Sequence, residues 1–378
     1  MTTADFAWID TPERLHGVVE GLQSAPWVAI DTESNSMFVY REQVCLVQLN
    51  LGGTIVVIDT LAPAVRAAFS SLRAGLARSD RPLYLHGGEY DVGCLKRDFD
   101  MPLGGVFDTQ QAASLLGLEK TGYAAVVEKT CGVLLPKAHA QSDWGRRPLP
   151  QDALHYAVDD VVYLPRAAEA LRTLVEAAGI QDEVSVQNAA VMGATIRDVD
   201  DEGAFWRLKG VRDVPVELRP LVFALWRWRE ESARAANQPA GRIVNTEVLY
   251  NMTRHPPSDL ASAKRAGVNA SLVARQGERL LHVVAEARRQ PPPLPPLPPE
   301  HFPSRAEQRR EDALKNWRRD EAAKRSAAEG RPIPLQLVLT APALEYLVRH
   351  GAGDLEAAPQ MGQARLSRYG DVLRKLAG

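Results

Sequence analysis

Strand and helix signals are distributed unevenly along this chain of 378 residues. Short runs of β-branched and apolar residues alternate with helical patterns in the first 200 residues, whereas strand signals fade beyond that point. Early strands that lie close together, followed by strands separated by helices, predict a mixed sheet covered by helices, which is an α/β fold. The strands are predicted at 27–31, 44–50, 54–59 and 82–86, and the helices at 63–78, 90–97, 108–116, 122–130 and 150–178.

The remainder of the chain is predicted to be helical. One group of short helices includes 221–236 and 271–289, and a later group opens with a charged helix at 305–328. The two groups end in loosely similar segments, ERLLHVVAEARR and SRYGDVLRKLAG, which indicates a degenerate repeat.

A proline-rich segment, PPPLPPLPP, separates the two helical groups. Because proline has no amide donor, this segment is predicted to be an extended and fairly stiff spacer; a PxxP ligand for a partner is the alternative. The predicted division of the chain is therefore 1–200, 203–290, a linker at 291–303, and 304–378.

The composition excludes several classes of protein. With 45% hydrophobic and 24% charged residues, the chain is not disordered as a whole. The longest charge-free apolar stretch, 44–58, is too short and too interrupted to cross a bilayer, and the first residues do not have the pattern of a signal peptide. Cys45, Cys94 and Cys131 lie far apart, so neither a zinc site nor a disulfide framework is expected. We therefore expect a cytoplasmic protein with no membrane partner.

The net charge of −2 conceals a division between the two halves. Residues 1–200 contain 16 Lys and Arg against 26 Asp and Glu, and residues 201–378 contain 29 against 21. An acidic half can gather divalent cations and a basic half can bind polyanions, although drift in composition between domains gives the same division.

The strongest chemical signal is WVAIDTES, in which an apolar strand runs directly into Asp31 and Glu33. Side chains alternate along a strand, so these two carboxylates point to the same side. Paired carboxylates repel each other unless a cation lies between them, and oxygen ligands of this kind suit Mg²⁺ or Mn²⁺. A solvated strand end is the alternative interpretation of a D-x-E pattern on its own.

Two further segments place carboxylates where they can join this pair. In HGGEYD, a strand ends at a double-glycine turn and Asp91 falls in the first turn of the next helix, although Glu89 occupies a similar position. In the helical segment 149–164, Tyr156 and Asp160 are four residues apart and therefore share a face. Such a pair commonly lies on the exposed surface of a helix, but the apolar residues around this pair favour a position that lines a cleft.

In this order the acidic residues resemble the motifs of the DEDD 3′–5′ exonucleases, and the longer strings resemble the ribonuclease D family. The matching strings are AIDTES, CLVQL, IDTL, the HGxxxDxxxLxRDF pattern, FDTQQAA, SDWGRRPLP and the YAxDDxxYL pattern, which together cover about 30–175. The segment WRWREESARAANQPAGRIVNTEVL is similar to the HRDC domain, a helical nucleic-acid-binding module, and 304–378 would be a second, diverged copy. The resemblance implies a ribonuclease H-like mixed sheet flanked by helices and followed by two small all-α HRDC-type domains.

The resemblance also implies a site with two divalent metal ions, Mg²⁺ or Mn²⁺. Asp31 would bridge the ions, Glu33 and Asp160 would complete the site that holds the attacking water, and Asp91 would support the second ion. Tyr156 would hydrogen-bond the water. The neighbouring Asp159 raises a question of register, which the four-residue spacing to Tyr156 decides in favour of Asp160.

The family contains a tyrosine class and a histidine class, and this sequence offers both residues. His155 lies five residues before Asp160, at the spacing of the histidine class. Adjacent helix positions diverge by about 100°, so only one of the two shares a face with Asp160, and the spacing favours Tyr156.

Candidate nucleic-acid contacts lie in both halves of the chain. In SDWGRRPLP they are Asp143, Trp144 and Arg147, whereas Asp108 and Gln110 are expected to brace the fold. Of Trp226 and Trp228, one is expected in the core and the other exposed for base stacking. The candidate phosphate contacts in the helical region, each of which has a solvated surface position as its alternative, are Arg227, Arg229, Arg234, Arg242, Lys264, Arg265 and Arg275.

These expectations together describe a monomeric, metal-dependent 3′–5′ exoribonuclease. It would release 5′-mononucleotides and trim the 3′ ends of tRNA precursors or other structured RNA. Single-stranded DNA is the alternative substrate, because the acidic residues by themselves do not distinguish the two nucleic acids. A non-catalytic nucleic-acid-binding scaffold is the alternative from another class of protein, and the presence of all four carboxylates argues against it.

Overall fold

The first region contains a single mixed sheet. The computed structural model describes residues 4–135, 142–196, 202–299 and 301–378. Within these ranges the strands are β1 (Ala7–Ile9), β2 (Val28–Ser34), β3 (Val44–Leu51), β4 (Thr54–Asp59), β5 (Leu83–Leu85) and β6 (Val106–Asp108). Their spatial order is β1-β4-β3-β2-β5-β6, with β2, β3 and β4 antiparallel and the remaining pairs parallel. The predicted mixed α/β sheet is confirmed, with β1 and β6 as additional three-residue strands.

The described helices flank this sheet and make up the remainder of the chain. In the first region they are α1 (Pro12–Ser24), α2 (Pro63–Ala68), α3 (Arg73–Leu76), α4 (Glu89–Phe99), α5 (Thr109–Leu115), α6 (Tyr123–Cys131), α7 (Gln151–Val162), α8 (Leu164–Ala177) and α9 (Gln181–Gly193). Those that follow are α10 (Arg219–Ala236), α11 (Ala240–Ile243), α12 (Thr246–Arg254), α13 (Leu260–Arg265), α14 (Ala270–Arg289), α15 (Arg305–Glu329), α16 (Leu335–Val338), α17 (Ala341–His350) and α18 (Gln363–Ala377). Short 3₁₀ helices lie at Phe69–Leu72, Glu202–Arg207, Val211–Asp213 and Val216–Leu218. None of the described helices has the length and apolar character needed to cross a bilayer.

The chain divides into two compact units. Unit 1 consists of Met1–Ser34, Val44–Ile196 and Phe302–Gly378, and unit 2 of Asn35–Gln43 and Arg197–His301. The predicted boundary at residue 200 lies outside the described residues.

The sheet of unit 1 is buried on both faces. Every position of β3 is buried, since this strand lies in the middle of the sheet. One face packs against α1 and α4 through residues such as Ile30 and Leu49. The other face packs against α7 and α8, and the side-chain amide of Asn50 donates to the carbonyl of Val161 on α7 at 3.1 Å. The alternation of side chains along β2 and β3 therefore decides which residues face α7.

The C-terminal helices of unit 1 do not enclose a core of their own. Leu314, Leu347 and Leu373 belong to one apolar cluster with Val126 of α6 and Leu171 of α8. Arg368 on α18 forms an ion pair at 3.2 Å with the fully buried Glu183 on α9. The predicted domain at 304–378 stays a prediction, and its apolar side chains pack in one cluster with those of the α/β region.

Unit 2 is an all-helical bundle that α10 and α14 form with shorter helices. Trp226 and Trp228 on α10 are both buried, with 8% and 1% of their surface exposed. The expectation that one of them is free for base stacking is therefore wrong: Trp228 is enclosed, and Trp226 stacks on Phe223. The proline-rich segment packs back onto this unit, where the indole N–H of Trp206 donates to the carbonyl of Pro295 at 3.1 Å.

Candidate active site

Strand β2 places the first two carboxylates. Its N-terminal residues Val28, Ala29 and Ile30 are buried, and its last four residues are partly exposed, so the strand leaves the core at Asp31. Ala29 packs in the cluster that faces α7. Asp31 and Glu33 follow it at two-residue spacing and therefore point to the same face.

Helix α7 brings the third carboxylate to this pair. Asp31, Glu33 and Asp160 each contribute one carboxylate oxygen to a group in which all atoms lie within 4.8 Å of one another. Asp159, the adjacent residue, is buried with 4% of its surface exposed and is not part of this group. The structure thus places Asp160, which the four-residue spacing to Tyr156 selected over Asp159, beside Asp31 and Glu33.

A glycine turn directs Asp91 toward β2. Gly87 has a φ of +65°, which side chains rarely tolerate, and its N–H and that of Gly88 donate to the buried Asp108 at 3.0 and 2.9 Å. Asp108 also caps α5, as expected for a residue that braces the fold. Helix α4 therefore begins close to β2, where the hydroxyl of Thr32 donates to the carboxylate of Asp91. Glu89, the alternative acid of this segment, is exposed to solvent.

Burial and mutual repulsion raise the pKa values of this carboxylate cluster. For Asp31, burial is the largest cause of a pKa well above the usual range, followed by the charges of Asp91, Asp160 and Glu33. Burial and then the charges of Asp160 and Asp91 raise the pKa of Glu33 in the same way. The pKa of Asp160 rises to about 8, first through burial and then through Asp159 and Asp91. The pKa of Asp91 rises to about 6 through burial, and the Thr32 hydrogen bond opposes this change.

The donor set fits a hard divalent cation. Ligand oxygens around one Mg²⁺, at about 2.1 Å from the ion, lie up to about 4.2 Å from one another. The three carboxylate oxygens here lie within 4.8 Å of one another, a slightly wider limit. Carboxylate oxygens are the ligands that Mg²⁺ and Mn²⁺ prefer, and a cation would remove the repulsion that raises these pKa values.

Tyr156, and not His155, is oriented toward the carboxylates. Burial raises the pKa of Tyr156 above its ordinary value, and the charges of Asp160, Glu33 and Asp31 add to this effect. The imidazole Nε2 of His155 lies 3.3 Å from the side-chain amide of Gln151, one turn earlier on an exposed part of α7. The structure therefore separates the two residues as the helix geometry requires, and their catalytic roles stay predictions.

Tyr123 also borders the cluster, although sequence reasoning did not single it out. Its hydroxyl donates to the carbonyl of Asp159 at 3.0 Å, which ties α6 to the end of α7 that carries Asp160. Burial raises its pKa well above the usual range, followed by the charges of Asp160 and Asp31. No spacing rule points to this residue, because α6 and α7 meet only through the tertiary fold.

The SDWGRRPLP segment braces the sheet. Arg147 donates two hydrogen bonds to the carboxylate of Asp59 at 2.8 and 2.6 Å and a further one to the carbonyl of Cys45 at 3.1 Å. Trp144 has 2% of its surface exposed and packs between the sheet and α7. Trp144 is therefore enclosed by the fold, and its predicted contact with nucleic acid is corrected. Arg147 keeps 26% of its side chain exposed, so its nucleic-acid contact stays a prediction. Asp143 is exposed and accepts a hydrogen bond from the Gly145 N–H at 3.1 Å.

The basic residues of unit 2 fall into two groups. Arg229 has 6% of its surface exposed and pairs with Glu230 at 2.8 Å, so its predicted phosphate contact is corrected to a structural ion pair. Arg227 is exposed, and its guanidinium lies 5.9 Å from the centre of the Phe223 ring. The other exposed candidates are Arg234, Arg242, Lys264, Arg265 and Arg275.

Family models match two regions of the chain. A 3′–5′ exonuclease model matches residues 6–176, which contain the whole carboxylate cluster, and an HRDC domain model matches residues 219–284. The expected HRDC domain is thereby confirmed, and its predicted bounds of 203–290 stay a prediction.

Several proteins that are similar to this chain are named ribonuclease D. The ribonuclease D of Gluconacetobacter diazotrophicus is 33% identical, in a match that covers 76% of this chain and 73% of that protein. The ribonuclease D of Pseudomonas paraeruginosa is 28% identical over 99% of this chain and 98% of its own length. Among solved structures, Escherichia coli RNase D shares the fold with a TM-score of 0.72 at 24% identity, over 98% of both chains. The extent of these matches and the position of the acidic cluster within the exonuclease region show that the chain belongs to the ribonuclease D family of 3′–5′ exoribonucleases.

Proposed function

We propose that this chain is a metal-dependent enzyme that removes 5′-mononucleotides from the 3′ ends of RNA by two-metal-ion hydrolysis. The observation that carries the proposal is the group formed by Asp31, Glu33 and Asp160, whose carboxylate oxygens lie within 4.8 Å of one another. Asp91 is held beside this group by the Thr32 hydroxyl. An inert scaffold has no use for buried carboxylates that repel one another, because such a cluster destabilises a protein that binds no cation.

The carboxylates divide into two sets. Asp31, Glu33 and Asp160 are close enough to share one ion, and Asp91, which lies outside that group but raises the pKa of Asp31, would support a second. Two divalent ions in such a site activate water at neutral pH and neutralise the charge that develops on the phosphate.

Tyr156 would orient the attacking water and would not accept its proton. Its pKa is raised above the ordinary value by burial and by three nearby carboxylates, so the phenol remains protonated at neutral pH. A protonated hydroxyl can donate a hydrogen bond and hold a water oxygen in place. Tyr123, whose hydroxyl binds the Asp159 carbonyl, would keep the end of α7 in position.

The proposed substrate class is structured RNA, such as the 3′ ends of tRNA precursors. The relatives are named ribonuclease D, and the Escherichia coli protein is described as an exoribonuclease involved in structured RNA processing. The excess of basic residues after position 200 and the HRDC match at 219–284 support binding of a polyanion by the helical unit.

The test is digestion of matched RNA and DNA oligomers, labelled at the 3′ or the 5′ end, in Mg²⁺, Mn²⁺ or EDTA. We expect immediate release of labelled mononucleotide from the 3′ end, stepwise shortening of the 5′-labelled RNA, and no product in EDTA. Faster digestion of the DNA oligomer would favour single-stranded DNA as the substrate. Absence of any metal-dependent product would favour the scaffold interpretation.

A further inference from the structure

Gln48 is an unusual residue in the middle of the sheet. It lies on β3 with none of its surface exposed, and within the described residues neither its side-chain oxygen nor its side-chain nitrogen has a hydrogen-bond partner. A buried amide left without partners destabilises a protein, because folding removes its polar groups from water without replacing those hydrogen bonds. The stability of the fold without a bound cation therefore does not explain why a Gln occupies this position.

The register of the sheet places Gln48 directly opposite Asp31. The antiparallel pairing of β2 and β3 aligns these two residues, and side chains of directly opposed residues lie on the same face, with Cβ atoms about 4.5–5.5 Å apart. On its other side Gln48 is paired with Val57 of β4, which offers no polar side chain. The carboxylate of Asp31 is therefore the polar group that directly flanks the amide across the strands.

Asn50 is a similarly buried amide whose side chain is hydrogen-bonded within the fold. It lies two residues further along β3, on the same face and with 4% of its surface exposed. Its nitrogen donates to the carbonyl of Val161 at 3.1 Å, and its oxygen accepts from the N–H of Gly53 at 2.9 Å. The two amides thus share a strand, a face and a degree of burial, but only Asn50 is used to hold the fold together.

We propose that Gln48 is a positioning residue for the metal site, which donates a hydrogen bond from its side-chain nitrogen to the Asp31 carboxylate when that carboxylate binds a cation. A carboxylate only accepts, so the nitrogen of the amide faces Asp31. Hydrogen bonds to ligating carboxylates fix the orientation of the ligand, and the loss of such a partner typically weakens metal affinity about 10–100-fold. The inference rests on the proposed metal-dependent function and assigns to it a residue that is not itself a ligand.

The experiment compares Gln48→Met and Gln48→Leu with Asn50→Leu in the full chain. Unfolding by urea is measured in EDTA, and the affinity for Mn²⁺ alone is measured by calorimetry in the absence of RNA. We expect both Gln48 variants to unfold in EDTA at a urea concentration equal to or above that of the parent, because they remove an unsatisfied polar group. Their Mn²⁺ affinity should fall 10–100-fold. Asn50→Leu should unfold at lower urea and retain Mn²⁺ affinity within about twofold while folded.

Three results would overturn the inference. Parent-like Mn²⁺ affinity in the two Gln48 variants would show that the amide does not act on the metal site. Failure of both variants to fold, or a loss of stability as large as that of Asn50→Leu, would show that the amide is a structural group. Absence of Mn²⁺ binding by the parent would overturn the proposed metal site together with this inference.

Discussion

The hydroxyl of Thr32 donates a hydrogen bond to the carboxylate of Asp91, and this contact joins helix α4 to the strand that carries Asp31 and Glu33. Thr32 is the middle residue of D-T-E, so its side chain points away from the face that its two acidic neighbours share. The carboxylate cluster is therefore assembled around β2 from both sides, with α7 on one face and the start of α4 on the other.

Replacing Asp31 should abolish activity and raise the stability of the metal-free protein. We expect Asp31→Asn to abolish hydrolysis while the metal-free protein becomes more stable, because the substitution removes a buried carboxyl group whose ionised form is disfavoured by burial and by the charges of Asp91, Asp160 and Glu33. Hydrolysis of labelled RNA and urea unfolding in EDTA measure the two effects. Asp371→Asn, at a highly exposed carboxylate, is the control and should change neither. Turnover within tenfold of the parent at saturating Mg²⁺ would contradict the role of Asp31 as a ligand.

The stability of the metal-free protein should fall as the pH rises. Asp160 and Asp91 have folded-state pKa values of about 8 and about 6, above the ordinary value of 3.8. Between the ordinary and the raised values the folded protein holds protons that the unfolded chain has released, so their stabilisation is present at low pH and is lost as the pH rises through 6 and 8.

Urea unfolding at pH 5 and pH 8 checks this expectation, with and without Mg²⁺. A divalent cation binds the ionised carboxylates, so Mg²⁺ should stabilise the protein more at pH 8 than at pH 5. Asp160→Asn should flatten the pH dependence in EDTA. Equal stability of the parent at both pH values in EDTA would show that the cluster is not held in a protonated state.

Tyr156→Phe should reduce kcat about 10²–10⁴-fold with little change in KM, because it removes one hydroxyl and retains the ring. His155→Ala on the adjacent position is the matched control and should be mild, since the imidazole of His155 lies beside the side-chain amide of Gln151. Both variants are assayed on one labelled single strand. A severe defect in His155→Ala beside an active Tyr156→Phe enzyme would assign the chain to the histidine class.

The C-terminal helices should be needed for the stability of the nuclease region. Leu347 is completely buried in the cluster that it shares with Val126 and Leu171. We expect Leu347→Ala to lower the free energy of unfolding by about 2–5 kcal/mol, whereas Val372→Ala, at a position with 38% exposure, should have a small effect. A fragment that ends at residue 299 and unfolds at the same urea concentration as the full chain would show instead that 302–378 is an independent domain.

The exposed basic residues of the HRDC domain should contribute to RNA affinity through phosphate contacts. We expect the triple variant Arg227→Gln, Lys264→Gln and Arg275→Gln to lower the slope of log affinity against log salt by up to about 2, since each contact to a single strand contributes about 0.7. Fluorescence anisotropy with labelled RNA over a range of salt measures this slope. The control removes the same charge from exposed residues of α15, at Arg309, Arg319 and Lys324. An equal change in both variants would indicate a long-range charge effect without specific contacts.

The sequence by itself determined the larger elements and the acidic residues. Apolar runs at 44–50 and 54–59 predicted β3 and β4 closely, since alternation and burial are properties of short segments. The spacing within D-x-E and between Tyr156 and Asp160 determined which side chains share a face. The three-residue strands β1 and β6 were missed, because they are too short to show a period and depend on pairing with β4 and β5.

Only the tertiary structure decided which polar and aromatic side chains are exposed and which are engaged within the fold. By residue type, plausible contacts for nucleic acid include Trp144, Arg147 and Arg229. In the fold, however, Trp144 and Arg229 are buried, and both arginines form ion pairs. The core shared by α6, α8 and α17 and the pairing of Gln48 with Asp31 join residues that are distant in the chain. Periodicity reports the face on which a residue lies, whereas burial and partners depend on what the fold places against that face, and this is why these features required the structure.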